Sequence, residues 1–246
     1  MNADWIIPDW PAPENVRALS TTRNGGCSFP PWDSFNLGDH VGDDPVHVKK
    51  NRARLAALGG LPGEPLWMEQ VHGSQVLPAG SSGCRGDARF STVEGEVCAI
   101  MTADCLPVLF CDDSGSQVAA AHAGWRGLAG GVLEHTLRCF NRPASAIMAW
   151  LGPAIGPAAF EVGDEVREAF QRQQAAAEAA FAPHGKDKWL ADIYRLASLR
   201  LQAEGLTRIF GGDFCTCTES ERFFSYRRDG RTGRMASLIW LEKSNE

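Results

Sequence analysis

The chain reads as an α/β protein, and two observations carry that reading. Short apolar runs bounded by turn residues alternate with longer stretches whose apolar positions recur at helical spacing. A histidine motif, His122-Ala123-Gly124-Trp125-Arg126-Gly127, falls where one such run gives way to such a stretch.

Residues 16–20 open the series as a strand. Asn24-Gly25-Gly26 and a stretch rich in Pro, Gly and Asp follow, up to Pro45, where periodicity assigns nothing. A loop of that size in a compact domain is usually functional or disordered. Over 45–58, Val46, Val48, Ala53, Leu55 and Leu58 recur with Lys and Arg between them. That spacing predicts a helix, started by Asp43-Asp44 and ended at Gly59-Gly60.

The runs at 66–71, 97–101, 106–110 and 118–121 are predicted as buried strands. After Gly127, the spacing of Leu128, Val132, Leu133 and Leu137 predicts a helix. Further helices are expected over 165–180 and 190–204, the second ending at Gly205, and a last strand over 235–241. No repeat or long linker forces a cut, so a single domain spanning 1–246 is expected.

With 24 basic and 30 acidic residues the net charge is −6, which gives no general attraction to nucleic acid or to an anionic membrane. Small-molecule partners are expected. The opening Met1-Asn2-Ala3-Asp4-Trp5 lacks a basic n-region, and no long apolar run follows. The protein is therefore expected in the cytoplasm, with its eight irregularly spaced cysteines as reduced thiols.

His72, Cys105 and His122 stand out chemically. Two imidazoles and a thiolate hold zinc with a fourth position open, the arrangement of catalytic sites. Each lies beside or just beyond an apolar run, and the crevice past strand ends is where ligands bind in open α/β sheets. Their separation is no local zinc-finger spacing. Taken singly, the histidines also fit hydrogen-bonded structural roles, and Cys105 a small buried hydrophobe.

The flanking residues resemble the YfiH family, also known as laccase-like or multicopper polyphenol oxidoreductase proteins. The resemblance runs through Ser20-Thr21-Thr22-Arg23-Asn24-Gly25-Gly26, the stretch from Phe35-Asn36-Leu37-Gly38 to Pro45, Gln70-Val71-His72-Gly73, and Thr102-Ala103-Asp104-Cys105-Leu106-Pro107-Val108. It continues through the His122 motif, Gly152-Pro153-Ala154-Ile155-Gly156, Phe160-Glu161-Val162-Gly163, Cys215-Thr216 and Phe223-Phe224-Ser225-Tyr226-Arg227-Arg228-Asp229-Gly230. Cys217 departs from the pattern, and a Cys-x-Cys alone does not make a second metal site.

The resemblance implies one α/β domain of packed mixed sheets flanked by helices, with zinc on His72, Cys105 and His122. It implies phosphorolysis of adenosine, inosine, guanosine and methylthioadenosine, and adenosine deamination, with purine nucleosides and phosphate as partners. Other members are assigned an editing role in peptidoglycan synthesis, removing a wrong amino acid from a muropeptide precursor. A copper-dependent polyphenol oxidase is a further reading, but six histidines cannot furnish a trinuclear copper cluster beside a His2Cys site. A lone blue-copper site would need an axial methionine, for which Met68 and Met101 are available.

Roles follow from that chemistry. Cys105 and His122 are expected at the catalytic centre, with Asp104 as a proton shuttle or as an orienting group. Arg126, at the start of a helix, Arg23 and the Arg227-Arg228 pair are candidate phosphate clamps. Phe224, Tyr226, Trp125 and Asn36 are candidate purine contacts. A competing reading makes Cys105 a nucleophile cleaving an amide through a thioester. A non-enzymatic one makes the metal a structural staple.

Overall fold

A computed structural model describes residues 4–243, so the expectations touching Met1–Ala3 and the last three residues lie outside the described residues. Strand β1 (Val16–Ser20) is followed by a long loop and helix α1 (Pro45–Gly59). Asp44 caps α1 by accepting from Val46 N at 2.8 Å, and Gly60 closes it in the left-handed region at φ 60°. Next come β2 (Val76–Leu77), β3 (Ala88–Ser91), β4 (Cys98–Thr102), β5 (Leu106–Asp112) and β6 (Val118–Ala123). Two short helices, α2 (Trp125–Ala129) and α3 (Val132–Leu137), precede β7 (Ile147–Leu151) and β8 (Glu161–Gly163). The chain ends with α4 (Asp164–Gln171), β9 (Phe181–Pro183), β10 (Lys188–Ala191), α5 (Ile193–Ala203), β11 (Arg208–Gly211), α6 (Tyr226–Asp229) and β12 (Met235–Leu241).

A six-stranded mixed sheet runs β11-β7-β5-β6-β3-β2, a three-stranded antiparallel sheet runs β1-β12-β4, and β8-β10-β9 form a small third sheet. The two larger sheets pack face to face. One cluster, with Ile100, Leu109, Val118, Trp150 and Ile239, fills the space between them. A second, with Leu106, Val108, Phe110, Leu133 and Leu196, lies between the six-stranded sheet and α2 to α5. A third, with Leu19, Phe35, Leu55, Ala99 and Trp240, lies between the three-stranded sheet and α1. Alternate residues of β5 thus face different cores, and that two-sided burial is why the strand reads as an unbroken apolar run. The expected α/β arrangement of packed mixed sheets flanked by helices is what the structure shows.

Four expectations are corrected. Residues 66–71 form no strand; Leu66 and Glu69 make isolated bridges to Cys98 and Arg85, and the Gln70 side chain meets the Met101 backbone in place of a ladder. The helix after Gly127 is two helices, broken at Gly130-Gly131, where Gly131 takes φ 89°. The helix expected over 165–180 stops at Gln171, and Ala175–Ala180 is a 3-10 turn. The one expected over 190–204 begins only after Asp192, which caps it, because Lys188–Ala191 pairs as β10. All eight cysteines are free thiols. Among the described residues no helix is long and apolar enough to cross a membrane.

Candidate active site and metal centre

Sheet register brings the centre together. β5 and β6 are antiparallel with Leu106 opposite Ala123 and Pro107 opposite His122, so Cys105, one residue before β5, meets the end of β6. β3 flanks β6 on its other side with Ala88 opposite Ala121, which sets Asp87 beside His122. His72 arrives from the loop before β2. One ligand atom each from His72, Cys105 and His122 lie within 4.8 Å of one another, with Cys105 Sγ 3.7 Å from His72 Nε2. Burial is graded: His122 is buried, Cys105 half-buried and His72 exposed. One side of the cluster therefore faces solvent.

Asp87 organises the cluster. Its Oδ1 accepts from His122 Nδ1 at 2.8 Å, which directs the other ring nitrogen toward Cys105. The same carboxylate accepts the backbone N–H groups of Val71, His72 and Gly73 at 3.2, 2.8 and 2.7 Å. These can converge because His72 sits at φ 59°, where successive amides form an anion-binding nest. Burial pushes the Asp87 carboxyl up, but the His122 hydrogen bond and those amides win and hold it below the usual carboxylate range.

Burial likewise pushes the Cys105 thiol up, yet the charge and hydrogen bonds of His122 and His72 bring it down to about 6. Burial lowers the His122 imidazole, and Cys105 and Asp87 overcome it, raising it to about 9. Without a metal, the two shifts run in the directions that favour a thiolate beside an imidazolium. Gly124 supplies the room: a Cβ there would lie 2.9 Å from His72 Cδ2 and 3.0 Å from Cys105 Sγ. Donor chemistry, open side and clearance together fit a metal ion with a free coordination position.

The cluster forms part of the wall of a cavity of about 770 Å³, large enough for a nucleoside. Of the residues expected at the site, Asp104, Trp125, Arg126, Tyr226 and Arg227 line it. Asp104, at φ 97°, spends both oxygens elsewhere, on Thr216 Oγ1 and Arg227 N, each at 2.6 Å. Arg126 lies over Trp125 at 4.3 Å, and Arg227 over Phe160 at 5.7 Å.

Four residues expected as substrate contacts, Arg23, Phe224, Asn36 and Arg228, are not among those lining the cavity. Arg23 is spent on Asp33 and the Ser220 carbonyl and covers Phe224. Phe224 is fully buried beside Ala103, Phe223 and Met235. Asn36, also fully buried, binds Gly38, Asp43 and the Arg234 amide. Arg228 holds the carbonyls of Thr216, Cys217 and Phe223. Sequence reasoning missed Asp87, Gln70, Phe160 and Arg234. Asp87 had a signal as an acidic residue heading a buried strand, and Gln70 and Phe160 stand inside the family-like motifs, while Arg234 had none.

Fold and site define a class: α/β proteins whose mixed sheet carries an open two-histidine, one-cysteine centre in the wall of a nucleoside-sized cavity. Residues 17–242 match the family model for multi-copper polyphenol oxidoreductase laccase, and the chain belongs to this family, that of the YfiH proteins. It is 62% identical over 241 residues to an Escherichia coli protein named purine nucleoside phosphorylase YfiH, covering 96% of this chain and 98% of that one. A Pseudomonas aeruginosa protein named as a purine nucleoside phosphorylase is 57% identical, covering 98% of this chain and all of that one. Among solved structures, Neisseria meningitidis protein NMB0706 superposes with a TM-score of 0.93 at 50% identity, covering 98% of this chain and 100% of that one. YlmD from Geobacillus stearothermophilus gives 0.92 at 31% identity, with 98% and 97% covered.

Proposed function

We propose that the protein is a zinc-dependent purine nucleoside phosphorylase acting on adenosine, inosine, guanosine and methylthioadenosine, with adenosine deaminase activity. The observation that carries this is the His72–Cys105–His122 set opening into a cavity walled by arginines and aromatic rings. The names of the relatives from Escherichia coli and Pseudomonas aeruginosa support it. Zinc suits a borderline-soft N2S donor set with one position free. When bound, it supplies Lewis-acid polarisation at the reacting centre.

In phosphorolysis a phosphate oxygen bonds to the anomeric carbon as the bond from that carbon to the purine nitrogen breaks. The bond pair leaves with the base, which takes up a proton. Trp125, Phe160 and Tyr226 offer faces for the purine, and cavity guanidiniums offset the charge of the phosphate. In deamination, water replaces the amino group of adenine, which departs as ammonia. With both oxygens engaged, Asp104 serves best as the brace that holds the Cys105 turn.

The test is chromatography of adenosine incubated with metal-quantified protein, with and without phosphate, repeated for His122→Ala. The reading expects adenine only with phosphate, bound zinc, and loss of both in the variant. Metal-loaded protein silent toward every nucleoside would overturn it.

One observation favours a second reading. Cys105, His122 and Asp87 stand in series as nucleophile, base and orienting carboxylate, which suits amide cleavage through a thioester, as in editing of a muropeptide precursor. A chelator separates the two, since it abolishes a zinc-dependent reaction and spares a thiolate nucleophile.

A further inference from the structure

Three arginines line the cavity, Arg126, Arg227 and Arg234, and they are not equivalent. Arg126 and Arg227 are exposed, and their groups rest over aromatic rings. Arg234 is half-buried and held from several directions. Its backbone N–H donates to Asn36 Oδ1 at 2.9 Å, and its Nη1 donates to the carbonyls of Thr232 and Gly233 at 3.0 Å each. Its stem passes Gly38, where a Cβ would come within 2.9 Å of Arg234 Cγ. Asn36 also accepts from Gly38 N at 2.9 Å, so the Asn36-Leu37-Gly38 segment forms a seat for this one side chain.

The other edge of the guanidinium is free. Nε and Nη2 of Arg234 make no hydrogen bond to protein among the described residues, and neither is a buried orphan. Asp104, the nearest wall carboxylate by chain position to Cys105, is already taken by Thr216 and Arg227 N. A planar cation with one edge tied and the other free presents two parallel N–H donors at a fixed angle. That geometry matches two oxygens of a phosphate, and partial burial reduces screening of the charge.

We propose that Arg234 is the phosphate-binding residue of this site, its Nε/Nη2 edge taking two oxygens of inorganic phosphate, with Asn36 and Gly38 as positioning residues. The proposal deepens the phosphorylase reading and rests on it for the identity of the anion. Arg126 and Arg227 have no such seat: Arg227 Nη1 makes one long contact, 3.4 Å, to the Ala159 carbonyl, and Arg126 rests over Trp125.

The experiment is calorimetric titration of inorganic phosphate into the zinc-loaded full chain, for the unaltered protein, Arg234→Gln and Arg234→Lys. Zinc content and circular dichroism check the fold, and the KM values for phosphate and adenosine are measured in parallel. Losing a charge-assisted bidentate contact is expected to weaken phosphate binding about tenfold or more in Arg234→Gln, with the adenosine KM moving less than about twofold. Arg234→Lys, which keeps the charge without the fork, falls between, and it carries the comparison should the Gln variant not fold. Gly38→Ala, which displaces the stem, is expected to weaken phosphate in the same direction.

Phosphate affinity unchanged in Arg234→Gln, an equal loss for adenosine and phosphate, or no phosphate binding by the unaltered protein would each overturn the proposal. The two readings fail separately. Phosphate bound through Arg234 by a protein that cleaves no nucleoside sinks the phosphorylase and keeps the subsite. Phosphate-dependent cleavage with an unchanged phosphate KM in Arg234→Gln sinks only the subsite.

Discussion

Asp87 and His122 are joined twice: the carboxylate accepts from the ring Nδ1 at 2.8 Å, and the Asp87 carbonyl accepts from the His122 amide at 2.6 Å. The first contact selects the ring tautomer and the second fixes the backbone that carries the ring. Because the same carboxylate gathers the amides around His72, one side chain sets the position of two of the three candidate ligands.

Replacing Asp87 with Asn should therefore damage the metal site more than the fold. An amide can keep the shape but not accept three N–H bonds and the imidazole at once. Metal affinity is expected to fall about 10- to 100-fold, the usual cost of losing such a partner. Competition with a chromophoric chelator measures it, and an unchanged affinity would remove Asp87 from the account of the centre.

The thiolate–imidazolium pair makes a pH prediction for the metal-free chain. The thiol is depressed to about 6, so its contribution to stability is present above its ordinary value of 9.0 and is lost as pH falls through about 6. The imidazole is raised to about 9, so its contribution is complete below 6.5 and is lost as pH rises through about 9. Between these limits the slopes oppose each other, and stability should barely tilt with pH. Reactivity should tilt strongly. Iodoacetamide is expected to modify Cys105 with a midpoint near 6, a bound metal to protect it, and Cys98 and Cys111, pushed up to about 12 by burial, to stay inert. Peptide mapping across pH decides, and a Cys105 midpoint near that of an ordinary thiol would refute the pair.

Gly124→Ala tests the clearance. The added methyl would sit 2.9 Å from a carbon of His72 and 3.0 Å from the sulfur of Cys105, closer than packed atoms tolerate. Since His72 is exposed and free to swing outward, the expected result is a folded protein that has lost most of its bound metal. Metal analysis with circular dichroism reads both, and full occupancy in the variant would show that the ligands do not sit this tightly around Gly124.

Much of this was legible in the sequence, for physical reasons that differ by element. β5, β6 and β12 are buried on both faces and so appear as plain apolar runs. α1 shows its cap and its terminal glycines. β10 and β11 are short and only partly buried, so no run marks them, and Lys188–Ala191 blends into the helix that follows. The three candidate ligands were legible as residue types, but their convergence depends on register. Asn36 and Arg23 show the opposite limit: polar residues in a glycine-rich loop suggest substrate contacts, and here they satisfy the loop's own backbone.

Tyr194→Phe probes how the site is supported from a distance. The buried hydroxyl accepts from Ala154 N at 2.8 Å and donates to the Phe214 carbonyl at 3.0 Å, linking the loop after β7 to the segment after β11. That segment carries Thr216, whose hydroxyl holds Asp104, whose turn presents Cys105. Deleting the oxygen leaves a buried N–H and a carbonyl without their partner, at a cost of about 1–3 kcal/mol. The expected outcome is a lower melting temperature with metal content intact, because the candidate ligands His72 and His122 are held by Asp87 and the sheet register and not by this brace. If metal were lost along with stability, the Thr216–Asp104 link would have to be counted among the supports of the centre itself.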